Sequence, residues 1–368
     1  MTGNVIDMTR GVPPVRTLPT NKVKQCANEA LDEYGKEILQ YHSNLSKTVG
    51  GFEPLIGLIA EEMGDSSATE RILVGNGSLD VFDILSNSII TNGGVALVEN
   101  PSYDRSITTL TRTGADVIGV PMEKDGMDLD ELENLAANHS PELLYTIPDF
   151  QNPSGITLAE DKRKQVVDIA KKYNFWIVED SPYYKLRYRG ENLKTLWEID
   201  PDQVFYMSSF SKLISPGLRV GWSIIPGSMT DAVFQYAEDS YITPSMLSQG
   251  VVYKFLDKNW LEPKLKELKD LYLIRLEAIL DALERYLPEA SWAEPDGGYF
   301  IGLYLPEGIY YQDIKEEAVD AGLKLSDSRK FFPGSDKTNF VRIPFCTLSP
   351  EEIEEGVKRI GKLVDNVQ

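Results

Sequence analysis

A lysine flanked by small hydroxyl residues, in Ser208-Ser209-Phe210-Ser211-Lys212-Leu213, is followed seven residues later by a second cation, Arg219. Upstream stand Asn152-Pro153-Ser154-Gly155 and Asp180-Ser181-Pro182-Tyr183, and before them the glycine turn Gly75-Asn76-Gly77-Ser78-Leu79-Asp80. An amine, a carboxylate, an amide, a phenol and a set of anion-binding donors are what a lysine-bound aldehyde cofactor carrying a phosphate requires. Pyridoxal phosphate is such a group. It condenses with a lysine amine and withdraws electrons only while its ring nitrogen stays protonated, which calls for a buried carboxylate partner.

Asp180 is the candidate partner. It ends the apolar run Phe175-Trp176-Ile177-Val178-Glu179, which reads as a buried parallel strand, and a carboxylate at the carboxyl end of such a strand points into the crevice where α/β folds bind ligands. Taken alone it could also cap a helix. The cofactor's ring oxygen needs donors, and Asn152 and Tyr183 suit that task, although Asn-Pro-x-Gly by itself is also a plain turn signal. For the phosphate, an apolar strand from Arg71 to Val74 runs into the glycine turn and then an amphipathic helix through Val81, Leu85 and Ile89. Free amides at Gly77, Ser78 and Leu79 can cradle an anion there. The turn is no dinucleotide fingerprint, since Asp80 stands where a third glycine is needed. Arg219 can fork phosphate oxygens, and Ser209 or Ser211 can add a hydroxyl; a surface ion pair is the other use of Arg219.

The elements that must hold these residues alternate along the chain. Apolar runs at 95–98, 117–120, 143–147, 176–178, 204–207 and 220–225 are separated by helical patterns at 128–138 and 159–173. That predicts an α/β fold: three layers, a mostly parallel sheet with helices on both faces, in a large cofactor-binding domain at 46–255. The pattern then changes to a long charged helix over 261–287 and short strands, predicting a smaller α+β C-terminal domain at 256–368. Ser349-Pro350-Glu351-Glu352 is a capping box opening the last helix. Residues 1–45 form an N-terminal arm, with Thr20 capping a helix that runs toward Tyr34 and packs on the small domain or a partner.

Composition narrows the function classes. The 368 residues, 42% hydrophobic, suit about two domains, and the net charge of −20 argues against nucleic acid as a partner. No apolar span reaches membrane length, and Met1-Thr2-Gly3-Asn4 lacks a signal-peptide pattern, so a cytoplasmic protein is expected, with no DNA-binding domain ahead of the catalytic region. Cys26 and Cys346 lie on unrelated segments and read as reduced, packed thiols. With only His42 and His139, no metal site is expected.

Over nearly its whole length the chain resembles the fold-type I, class I/II aminotransferases, within them the group holding 2-aminoadipate and kynurenine aminotransferases and the catalytic half of MocR-type regulators. The resemblance is carried by Val98-Glu99-Asn100-Pro101-Ser102-Tyr103, by Tyr145-Thr146-Ile147-Pro148-Asp149-Phe150-Gln151-Asn152-Pro153-Ser154-Gly155, by the Asp180 and Lys212 segments, by Glu294-Pro295-Asp296-Gly297-Gly298-Tyr299-Phe300, and by Val341-Arg342-Ile343-Pro344-Phe345. It implies that Tyr103 stacks on the pyridine face, that Arg342 forks the substrate α-carboxylate with Asn152 beside it, and that Tyr41 reaches the phosphate of a neighbouring subunit in a homodimer with shared active sites. In the resembled group the tyrosine is closely followed by a glycine and then Leu-Arg. Here a longer loop without that arginine runs from Tyr41 to Pro54, and an altered substrate entrance is expected. Arg10, Arg16, Lys47 and His42 are possible contacts for an acidic side chain. The implied reaction moves an amino group from an L-amino acid to a 2-oxo acid, with 2-oxoglutarate as the implied acceptor, Lys212 as general base and Asp180 stabilising charge. The fold alone also accommodates β-lyases, decarboxylases and cyclising synthases, and a sensor that binds the cofactor without turnover.

Overall fold

The computed structural model describes residues 5–41 and 50–367. His42 and Lys47 lie outside the described residues. The centre is an eight-stranded sheet in the order Ile72–Gly75, Gly221–Ile224, Val204–Ser209, Trp176–Asp180, Leu143–Thr146, Val95–Asn100, Asp116–Glu123, Gly126–Met127. Five neighbouring strands, from Val204–Ser209 to Asp116–Glu123, run parallel, while Gly221–Ile224 pairs antiparallel with both its neighbours. Every residue of Leu143–Thr146 is buried. Because successive side chains point to opposite faces, that burial means both faces of the sheet are covered. One group of helices, Ser78–Ile89, Asp104–Arg112 and Thr230–Tyr241, packs together, and a second group, Leu129–His139, Glu160–Tyr173 and Leu196–Ile199, packs together elsewhere on the sheet.

The sequence runs expected as strands all sit in this sheet, but the one expected over 220–225 is antiparallel. Its chain arrives through a tight turn at Pro216–Leu218 directly after the strand Val204–Ser209, so it returns as a hairpin would, with no crossover helix to reverse it. The segment between Lys212 and Arg219 is turn, with one 3-10 turn at Pro216–Leu218.

C-terminal to the sheet, the 26-residue helix Leu261–Tyr286 leads to a three-stranded antiparallel sheet, Ser291–Trp292, Phe300–Tyr304 and Phe340–Pro344, and to the final helix Pro350–Val367, which packs on the long helix. The capping box holds: Glu352 N donates to Ser349 Oγ at 3.2 Å and Ser349 N to Glu352 Oε2 at 2.8 Å. The N-terminal strand Ile6–Met8 pairs parallel with Leu323–Leu325. The helix Thr20–Ile38 packs on Met246–Asp257, where Gly250 lets Ala30 and Ile38 approach and Lys258 meets Glu29 at 2.8 Å. Thr20 is not its cap. It is the first helical residue, Pro19 precedes it, and no side chain caps the end; the helix also passes Tyr34 through a local kink and continues to Ile38. No helix among the described residues is long and apolar enough to cross a membrane.

Candidate active site

The parallel strands end in a cavity of about 570 Å³, lined from the sheet side by Asp180, Ser209 and Lys212 and from the other side by Thr9–Val12, Ser326 and Arg342. Asp180 and Ser209 are the last residues of adjacent strands, so strand length sets their depth. The structure gathers Ser78, Leu79, Tyr103, Asn152, Tyr183, Ser211 and Arg219 around the same cavity.

Asp180 is buried. Its Oδ2 accepts the Tyr145 hydroxyl at 2.7 Å, while Oδ1 has no partner among the described residues. Burial pushes its carboxyl up to about 7, against the Tyr145 hydrogen bond and the positive charge of Lys212. A buried carboxylate with one orphaned oxygen is costly to keep ionised unless a cationic N–H meets it. Lys212 donates to the carbonyl of Gly11 at 3.1 Å, and its Nζ lies 5.6 Å from the centre of the Tyr299 ring. Burial holds its pKa below the ordinary lysine value, and the charges of Arg342 and Arg219 act in the same direction. Tyr183 is buried against Tyr299, with ring centroids 5.3 Å apart, and burial keeps its hydroxyl protonated far above neutral pH. Burial likewise raises Tyr103, to about 12.

The anion cradle follows from the turn. Gly77 precedes the helix Ser78–Ile89 with φ 99°, and a Cβ there would come within 2.0 Å of Arg219 Nη2, so only glycine leaves room for the guanidinium. Asp80 N and Val81 N both turn back to the Gly77 carbonyl, at 3.1 and 3.2 Å. The amides of Ser78 and Leu79 take no acceptor among the described residues, and they head an aligned helix. Arg219, itself at φ 53°, donates to Asn76 O at 3.0 Å and to Ser211 Oγ at 3.4 Å. Ser209 Oγ donates to Ser211 Oγ at 2.9 Å.

On the opposite wall, Arg342 Nη1 donates to Asn152 Oδ1 at 3.0 Å, and Nη2 reaches Thr9 O at 2.7 Å and Ser326 Oγ at 3.0 Å. Its guanidinium carbon lies 4.6 and 4.7 Å from the ring centres of Phe300 and Phe331, and its Nε has no partner among the described residues. Asn152 spends its oxygen on Arg342, and its amide donors take no acceptor among the described residues. Tyr41 is 69% exposed and stands away from the cavity.

Pyridoxal phosphate fits these residues on observations internal to the structure: the orphaned Asp180 oxygen suits a ring N–H, the leftover amides beside Arg219 suit a phosphate, and the half-buried Lys212 amine lines the same cavity. Sequence reasoning missed Tyr145, whose hydroxyl at the end of an apolar strand was the available signal. It also missed the Thr9 and Gly11 carbonyls, Ser326 and Phe331. The carbonyls had none, because residue type does not announce which backbone oxygen faces a site.

Comparison with known proteins agrees. The aspartate amino-transferase family profile matches residues 86–365. Aromatic-amino-acid aminotransferase 1 of Thermococcus litoralis is 30% identical, over 99% of this chain and 88% of its own length. Among solved structures, the multiple substrate aminotransferase of Thermococcus profundus superposes with a TM-score of 0.92 at 30% identity, covering 99% of this chain and 92% of that one. The α-aminoadipate aminotransferase LysN of Thermus thermophilus, complexed with N-(5'-phosphopyridoxyl)-L-leucine, gives 0.91 at 28% identity with the same coverage. With a family match across most of its length and a cavity built to this donor set, the chain belongs to the aspartate aminotransferase family and is a pyridoxal-phosphate-dependent aminotransferase.

Proposed function

We propose that the chain moves the amino group of an L-amino acid with an aromatic or 2-aminoadipate-like side chain to 2-oxoglutarate, with Lys212 as the catalytic amine. The observation that carries the reading is the placement of a half-buried lysine and a buried aspartate, one of whose oxygens has no partner among the described residues, on one cavity at the sheet's carboxyl edge. The donor classes come from the relatives' names, aromatic amino acids and 2-aminoadipate. The dicarboxylate acceptor is supported by charge: in a chain of net −20, the cavity wall holds six cations, Arg10, Arg105, Lys212, Arg219, Lys330 and Arg342, against three carboxylates, Asp104, Asp180 and Asp327.

When bound, pyridoxal phosphate supplies the carbonyl that exchanges with the substrate amine and a ring that withdraws electrons from it. Asp180 Oδ1 holds negative charge against the ring nitrogen, with Tyr145 fixing the other oxygen. Asn152 and Tyr183 would donate to the ring oxygen, and Tyr103 would cover the ring face. Arg219, Ser209, Ser211 and the amides from Gly77 to Leu79 grip the phosphate. Arg342, already oriented by Asn152, Ser326 and two aromatic faces, offers its guanidinium to the substrate α-carboxylate. The lowered pKa of Lys212 favours the neutral amine that takes and returns the Cα proton.

The chain divides in this reading into an arm at 1–45, a cofactor domain at 46–255 and a small domain at 256–368. It acts as a cytoplasmic homodimer in which the exposed Tyr41 serves the partner's phosphate. The test is to add single L-amino acids to the cofactor-loaded protein without any oxo acid. Conversion of the visible absorbance to that of the aminated cofactor, reversed by 2-oxoglutarate, is the expected result. Release of ammonia or carbon dioxide with the absorbance unchanged would replace transfer by elimination or decarboxylation.

A further inference from the structure

Glu99 is a fully buried carboxylate that the reaction as described does not use, and no cation pairs with it among the described residues. It sits one residue before the end of the strand Val95–Asn100, in the segment that leads to Tyr103. Three donors converge on it. Thr146 Oγ1 gives to Oε1 at 2.7 Å, and Ile147 N and Gln151 Nε2 give to Oε2 at 3.2 and 3.0 Å. Gln151 then acts at both ends of its amide. Its Nε2 also donates to Pro101 O at 2.8 Å, and its Oε1 accepts from Ser154 N at 2.8 Å and Ser154 Oγ at 2.6 Å.

The connected chain therefore ties the approach to Tyr103 to the turn 151–154, and that turn carries Asn152. We propose that Glu99 is a positioning residue which, through Gln151, fixes the side-chain amide of Asn152, with its NH2 toward the cofactor's ring oxygen and its Oδ1 accepting from the guanidinium of Arg342.

The chemistry explains why an acid stands there. A carboxylate accepts on both oxygens and brings no proton of its own, whereas a glutamine would direct an NH2 group at one of the three donors. Isolated charge in a protein interior is expensive, and burial indeed raises this carboxyl, to about 7. Spending that cost on a group with no ion-pair partner is intelligible when the hydrogen bonds it collects hold a reactive geometry, because buried polar networks that are fully satisfied specify a single arrangement. Ser154 O also accepts from Gly302 N at 2.9 Å, so the turn is pinned from the side of the strand that pairs with Arg342's own strand.

The inference rests on the cofactor reading above, and its test separates the two. The visible absorbance of cofactor-loaded protein is titrated against pH. A donor to the ring oxygen stabilises the deprotonated form of the lysine linkage, so Asn152→Ala is expected to raise the midpoint. Glu99→Ala should raise it in the same direction, by roughly 0.5 to 1 pH unit, and the Glu99→Ala/Asn152→Ala double variant should go no further than Asn152→Ala alone. An unchanged midpoint in Glu99→Ala, with only a lower melting temperature, would make Glu99 a stabilising hub and overturn the proposal. So would additive shifts in the double variant. If Glu99→Ala does not fold, Gln151→Met breaks the same link from its other end, and the same shift or its absence decides. A wild-type protein that develops no visible band with pyridoxal phosphate removes the cofactor reading and this proposal together, whereas a normal wild-type band with unmoved variants removes only the proposal.

Discussion

The two walls of the cavity are built differently. The sheet wall takes Asp180 and Ser209 from strand ends and Lys212 and Arg219 from the tight connection that follows, all within 40 residues of chain. The facing wall takes Thr9 and Gly11 from the N-terminal segment, Asn152 from a turn, and Ser326 and Arg342 from the C-terminal part. The first wall presents side chains on a rigid scaffold, as strand ends of α/β sheets do. The second depends on backbone carbonyls of a segment anchored at Ile6–Met8 to the C-terminal strand Leu323–Leu325. The difference teaches where precision and where adaptability reside. In the function proposed, charge chemistry falls to the sheet, and substrate grip falls to three segments that only folding brings together.

Changes on the sheet wall should act on the rate constant. Asp180→Asn keeps the shape and the Tyr145 contact but removes the charge, and kcat should fall by at least about 10²-fold, by analogy with other preorganised charge stabilisers; a near-normal kcat would break the comparison at its strongest point. Changes on the facing wall should act on substrate binding. Arg342→Ala is expected to lower kcat/KM for the amino acid by roughly 10- to 100-fold, the loss of a hydrogen bond to a charged group, while cofactor affinity, measured by titrating the apoprotein, stays close to wild type. Gly11→Ala should have a smaller effect of a few-fold in KM, on the order of 1 kcal/mol, because a Cβ there would come within 2.3 Å of the Phe300 ring and displace the carbonyl that Lys212 holds.

The smallest expected effect is on stability against pH. Asp180 is raised to about 7 in the folded chain, above its unfolded value. Folding therefore favours its protonated form, and its contribution is fully present below the unfolded pKa and lost as pH rises through the folded one. Between about pH 4 and pH 7 the apoprotein should lose more melting temperature than Asp180→Asn does, and cofactor loading should reduce the difference by giving the carboxylate its cationic partner. Equal slopes in the three forms would show that Asp180 does not carry this burden.

The asymmetry also explains what could be read before folding. The meeting of Asp180, Lys212, Asn152 and Arg219 on one cavity was legible because each combines a polar side chain with a local signal, a strand end, a hydroxyl-rich turn or a glycine. The alternating runs gave the sheet, since buried parallel strands are apolar throughout. The antiparallel strand Gly221–Ile224 was not distinguished from its parallel neighbours because its burial pattern is the same and only the length of its connection differs. The Thr9 and Gly11 carbonyls, Ser326 and the Glu99 relay depend on contacts between residues far apart in sequence, which no local pattern encodes.

The central claim is that Lys212 carries the cofactor. Borohydride reduction of the protein loaded with pyridoxal phosphate, followed by mass analysis of its peptides, tests it directly. The phosphopyridoxyl label is predicted on Lys212 alone, with Lys212→Ala taking no label and showing no turnover. Label on another lysine, or full transamination by the unlabelled Lys212→Ala variant, would contradict the account.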